Sequence, residues 1–194
     1  MNFKIHQMND INLQLQALKN EILLRDPKLI PVFNKVDESG FQLFSVIKEP
    51  YPALIGAIIG QKIRYELAKN LRSELYKRFG INFTPNQIYN DDLSFLPNDK
   101  VKIIKDVTEY ILANDLNLTK ENIETLDKVK GIGLWTIQTT LLTCLYDFDI
   151  FPLDDKFLQT RMKRIYGNNV NMREISEVWA PYRSLVTWYL WRYF

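Results

Sequence analysis

One cysteine, Cys144, and one histidine, His6, are all that this 194-residue chain contains of those two types. A single thiol excludes an internal disulfide framework and a four-cysteine iron–sulfur cluster. One histidine beside one cysteine does not make a zinc site. No apolar run reaches the roughly 20 residues that span a bilayer. The start, Met1 to His6, leads into a polar amphipathic stretch rather than a secretory signal. Alternating strand patterns, repeats and low-complexity tracts are also missing. A soluble intracellular protein is expected, in the cytoplasm or nucleoid, or in the nucleus of a eukaryote. Glycine is scarce, with seven residues, so a turn containing two of them stands out.

What is present is apolar and helical. The 46% apolar content is enough to bury a core at this length. Net charge is only +2, but the basic residues cluster. Lys62, Arg64, Lys69, Arg72, Lys77 and Arg78 face only Glu66 and Glu74 over one stretch. From Asp155 onward, Lys156, Arg161, Lys163, Arg164, Arg173, Arg183 and Arg192 face Asp155, Glu174 and Glu177. Such faces either track phosphates or are simply solvated helix surfaces.

Nearly every segment reads as helix. A first helix runs from an Asp10 cap to the Asp26-Pro27 break, a short second one covers 27–36, and a loop covers 37–50. Residues 52–59 are apolar throughout and expected to be buried; Gly60 interrupts them before the amphipathic run 63–79, which Gly80 ends. Thr84-Pro85 opens a short helix. Apolar residues at helical spacing mark 98–113. Thr119-x-x-Asn122, close to a capping box, opens a helix over 119–129. Helices over 134–146, 155–166 and 171–194 complete an all-α fold.

The most informative stretch is Leu126-Asp-Lys-Val-Lys-Gly-Ile-Gly-Leu-Trp-Thr136, with Asp155 nineteen residues beyond it. Val129-Lys130-Gly131-Ile132-Gly133 makes a turn between two helices. Gly131 and Gly133 are expected to supply positive φ and to clear space for a phosphate, while Ile132 points inward. A lone Gly-x-Gly often only caps a helix; the whole string is more specific. Likewise, Asp154 or Asp155 can serve as a plain helix N-cap. The aromatic C-terminal stretch, with Trp179, Tyr182, Trp188, Tyr189 and Trp191, is by itself as suited to a core as to a pocket.

Together these blocks resemble the helix-hairpin-helix glycosylase superfamily of DNA repair enzymes, and within it the 3-methyladenine DNA glycosylase II branch. The resemblance covers about residues 50–194. It implies an all-α glycosylase fold with two helical subdomains (51–150, and 1–50 plus 151–194) and a lesion cleft between them. It also implies neither an iron–sulfur cluster nor an N-terminal β domain. By resemblance, the turn grips the backbone of damaged double-stranded DNA through Lys130, Gly131, Ile132, Gly133 and Thr136. A monovalent sodium or potassium ion on the Val129 and Gly131 carbonyls goes with it; no other cofactor is implied. Asp155 aligns with the essential aspartate, with Asp154 left to cap the helix. A carboxylate there stabilises the oxocarbenium-like sugar and orients water.

Superfamily members that also cut the strand carry a lysine nucleophile where this chain has Trp135, so base removal without lyase activity is implied. Trp179-Ala180-Pro181-Tyr182-Arg183-Ser184 resembles a family segment, and Trp191 matches the base-stacking tryptophan that follows it. Trp191, Trp135 and Thr139 are the pocket residues, Thr139 standing where relatives often have an aromatic; Trp179 and Trp188 are assigned to the core. Residues 52–63 resemble the apolar helix whose end inserts a side chain into the DNA gap. Here that segment offers Gln61, Lys62 as the wedge, and Arg64. The implied function is a monomeric, monofunctional glycosylase for alkylated purines in base excision repair. The rivals are a glycosylase for oxidised or deaminated bases and a non-catalytic helix-hairpin-helix DNA-binding module.

Overall fold

The computed structural model describes residues 15–40, 49–144 and 147–193. The Asp10 cap and most of the 37–50 loop lie outside them. Among the described residues the structure is helical: α1 (15–25), α2 (Ile30–Glu38), α3 (Pro50–Gly60), α4 (Tyr65–Phe79), α5 (Pro85–Tyr89), α6 (Asn98–Ala113), α7 (Leu134–Cys144), α8 (Lys156–Tyr166), α9 (Met172–Glu177) and α10 (Arg183–Arg192). Short 3-10 turns cover Pro27–Leu29 and Ile123–Lys128. No helix is long and apolar enough to cross a membrane among the described residues.

Two units divide the chain, residues 1–43 with 148–194, and residues 44–147. The division falls at 43/44 and 147/148, against 50/51 and 150/151 expected from the sequence. The second shift has a direct cause. Ile150 is hydrogen-bonded to α10 through Ser184 and Thr187, and Asp149 pairs with Arg183, so these residues go with the C-terminal helices.

In the unit 44–147, α3 is buried along its whole interior from Tyr51 to Ile59. A helix apolar on every side is stable only when surrounded, and α4, α6 and α7 pack on it. The amphipathic α4 ends at Gly80, where φ is +79°. Thr84 and Gln87 close a capping box at α5. The region 119–129 is not the α-helix its pattern suggested. The Asn122 side chain accepts from the Thr119 amide at 2.8 Å, and a 3-10 turn follows. Asn prefers such local bonds to helix interiors.

The other unit packs α1, α2, α8 and α10 around Ile22, Phe33, Val36, Leu158, Met162, Trp179 and Leu190. Phe33 stacks on Tyr189 with centroids 3.9 Å apart. Asp26, 8% exposed, accepts from the Trp179 indole at 2.8 Å and from the Tyr166 hydroxyl. Residues 171–194 form two helices rather than one. Pro181 has no amide proton and pushes Ala180 out of the helical region, so the chain breaks between α9 and α10.

Candidate nucleic-acid interface and active site

Asp155 terminates a lead-in strand of chain that α10 holds down. Arg183 makes a bidentate pair with Asp149, Nε–Oδ1 and Nη2–Oδ2 both 2.7 Å. That guanidinium keeps the Asp149 carboxyl below its ordinary value. One helical position on, the Ser184 hydroxyl accepts from the Ile150 amide at 2.9 Å, and Thr187 donates to the Ile150 carbonyl at 3.0 Å. Gln159 reaches back to the Leu153 carbonyl at 2.9 Å. The Arg183-Ser184 pair, singled out by resemblance alone, thus has a physical task.

The carboxylate that follows is 4% exposed. Its Oδ1 accepts from the Phe157 and Leu158 amides at 2.8 and 3.0 Å, and its Oδ2 accepts from the Trp191 indole nitrogen at 3.1 Å. Asp155 is therefore itself the N-cap of α8, while Asp154 is exposed. The expected division, Asp154 capping and Asp155 turned to the substrate, is corrected. The cap uses Oδ1 alone, which leaves Oδ2 to the Trp191 indole. Arg161 lies close enough for Asp155 to favour its charge against the effect of burial; its Nε donates to the Tyr193 carbonyl at 2.7 Å. Three N–H donors on one carboxylate suit a buried anion.

Trp191 is half-buried, edge-on to Trp188 with centroids 5.5 Å apart. Trp179 is fully buried, but Trp188 is only half-buried and not core. α10 turns Trp188 and Trp191, three residues apart, to one side of the helix.

The other sequence-derived site lies within the unit 44–147. Two turns 70 residues apart meet there: Gln61 Nε2 donates to the Gly131 carbonyl at 2.9 Å and to Thr136 Oγ1 at 2.7 Å. Gly131 has φ +97°, and a Cβ on it would lie 2.7 Å from Ile103 Cγ1. Gly133 does not share that conformation, and the space where a Cβ would stand is open. Ile132, 4% exposed, points inward. Thr136, expected at the DNA surface, is 2% exposed, with its hydroxyl engaged by Gln61. Lys62, Arg64 and Lys130 are exposed. Lys62 has φ +57°, rare for a side-chain-bearing residue. Trp135 is half-buried, its ring facing Gly60. Thr139, also half-buried, carries a buried hydroxyl with no hydrogen-bond partner.

Sequence reasoning overlooked Lys100. It is 2% exposed, and its Nζ donates to the Gln61 carbonyl at 2.8 Å. Its spacing to Ile104, Val107 and Ile111 on the buried face of α6 was the available signal.

The fold and this hairpin define a class. No family model matches the chain, but individual proteins do. DNA-3-methyladenine glycosylase 1 of Schizosaccharomyces pombe is 28% identical over 166 residues, covering 75% of this chain and 72% of the relative. The solved structure of an S. pombe 3-methyladenine DNA glycosylase in complex with abasic DNA superposes with a TM-score of 0.69 at 25% identity, covering 90% and 95% of the two chains. A Clostridium acetobutylicum 8-oxoguanine glycosylase/lyase bound to double-stranded DNA shares the fold, with a TM-score of 0.73 at 20% identity over 91% and 68%. In sequence and fold the chain is similar to DNA glycosylases of the helix-hairpin-helix superfamily.

Proposed function

We propose that this protein is a monofunctional DNA glycosylase that removes alkylated purines, such as 3-methyladenine, from double-stranded DNA. Water adds to C1′ of the deoxyribose, the C1′–N bond breaks, and the free base leaves an abasic site. The observation carrying the reading is the buried Asp155 carboxylate, fixed by two amides and an indole N–H. Its charge opposes the positive charge that develops on the sugar, and a fixed anion needs no reorganisation as that charge appears. Names of relatives support the substrate class. A tryptophan face attracts a cationic alkylpurine by its quadrupole, the role we assign to Trp191 with Trp135 and Thr139.

Hydrolysis without strand cleavage rests on Trp135, whose indole cannot form a Schiff base. Lys100 offers no substitute nucleophile, since its amine is buried on a carbonyl. Lys62, Arg64, Lys130 and the hairpin amides hold the DNA backbone, and one monomer is sufficient for the reaction. The Val129 and Gly131 carbonyls each already accept one hydrogen bond, from Ile132 N and from Gln61. Their remaining lone pairs are of the hard-oxygen type that suits sodium or potassium.

Asp155→Asn keeps the cap geometry and removes the charge. It is expected to lower excision from methylated duplex, read as alkali-labile sites, by at least about a hundredfold, while binding of an abasic-site analogue persists. Excision at the wild-type rate refutes the role. The unpartnered Thr139 hydroxyl, in place of an aromatic, favours one second reading: a glycosylase for oxidised or deaminated bases. A panel of single-lesion duplexes separates the two.

A further inference from the structure

Lys100 is an anomaly in the unit that carries the hairpin. A lysine 2% exposed loses hydration that one hydrogen bond does not fully replace, and burial accordingly pulls its amine below the ordinary lysine value. The Asp99 carboxylate, 3.8 Å away, belongs to a largely exposed side chain. Lys62, also nearby, disfavours the charge further. A residue held at such cost has its effect at the atom it touches, the Gln61 carbonyl at 2.8 Å.

That carbonyl begins the peptide leading to Lys62, the exposed residue in the left-handed conformation. The Gln61 amide hydrogen bonds to the Ile58 carbonyl at 3.2 Å. Its side chain is spent on Gly131 and Thr136. Gln61 is thus held at backbone nitrogen, backbone oxygen and side chain together. One helical turn from Lys100 on α6, Ile103 lies against Gly131 and leaves no room for a Cβ. The first turns of α6 therefore touch both DNA-facing turns at once.

We infer that Lys100 is a positioning residue: through the Gln61 carbonyl it holds Lys62 outward, and through Gln61 it sets the register between the 61–64 turn and the hairpin. Gln61 and Thr136 are then internal couplers and not DNA contacts. The inference rests on the DNA-repair reading above. It concerns recognition of the gap in the duplex and not the chemistry at Asp155.

The test is binding of Lys100→Met protein to two duplexes, one undamaged and one with a tetrahydrofuran abasic-site analogue. Lys100 is too buried to touch phosphate, so affinity for undamaged duplex and its salt slope are expected to stay as in wild type. Preference for the abasic duplex is expected to fall about tenfold, the worth of a charge-assisted hydrogen bond at the wedge turn. In a Lys62→Ala background the same substitution is expected to have a clearly smaller effect, the share exerted through Lys62 being already lost. Equal loss on both duplexes, unchanged preference, or full additivity with Lys62→Ala overturns the inference alone. A wild-type protein that fails to prefer the abasic duplex overturns the DNA-repair reading and the inference with it. Should Lys100→Met melt too early to assay, Gln61→Ala keeps the carbonyl that Lys100 touches but removes the side-chain bonds to Gly131 and Thr136, the other half of the same register, and must give the same selective loss.

Discussion

Replacing Gly131 by alanine probes the hairpin at its most constrained atom. The new Cβ would stand 2.7 Å from Ile103 Cγ1, 2.9 Å from Cδ1 and 3.3 Å from Cγ2, on a backbone whose φ is +97°. Two costs follow. A side-chain-bearing residue at such a φ costs about 1–3 kcal/mol, and forcing a methyl into a filled site costs a further 1–3 kcal/mol or so. Ile103 is half-buried on a helix and can swing partly away, so a total of about 3 kcal/mol is expected. For a chain of this length that lowers Tm by roughly 6–12 °C. Chemical denaturation followed by far-UV circular dichroism measures it.

Ile103→Ala removes all three contacting atoms, and in that background only the conformational part should remain. The double-mutant cycle is therefore expected to return a favourable coupling of about 1–2 kcal/mol. A Gly131→Ala protein as stable as wild type, or a coupling of zero, refutes the argument that Ile103 closes this turn to side chains.

Two further outcomes are expected. Trp191→Phe keeps an aromatic face but deletes the indole donor to Asp155 Oδ2. Single-turnover excision should slow about tenfold, the value of a hydrogen bond to a charged group, with abasic-duplex affinity nearly unchanged; a large loss of affinity at full rate would point to stacking alone. The Asp149–Arg183 pair gives a pH signature: the Arg183 guanidinium holds the Asp149 carboxyl below its ordinary value in the folded protein. Its contribution is present above about pH 4 and is lost as pH falls through the lower folded value. The stability difference between wild type and Asp149→Asn, from denaturant midpoints, is expected to be level near neutrality and to shrink below pH 4. It should be modest, because both partners are partly exposed. A difference that persists undiminished at pH 3 would argue against the pair.

Much was legible before any coordinates. Residues 98–113 form α6 at both ends as read, since their apolar period, proline start and polar finish agree locally. The Thr84-Pro85 start, the Gly80 stop and the burial of 52–59 were legible for the same reason: caps and periods act within one or two turns of the chain. The hairpin string and Asp155 carried the family resemblance because they are short and contiguous.

What the sequence left undecided depended on partners far away along the chain. Which of two adjacent aspartates caps α8 was settled by the Trp191 indole, 36 residues on, which takes the second oxygen of Asp155. That Gln61 and Thr136 face each other, and not solvent, follows from a contact across 75 residues. Of the two hairpin glycines only Gly131 has a positive φ, and only there does Ile103 fill the space a side chain would take. Lys100 gains its role only once α6 packs it against the Gln61 carbonyl. Local propensity fixes where a helix starts and which stripe is apolar; which donor meets which carbonyl is decided when helices pack, since those atoms have no preference until they are brought within about 3 Å.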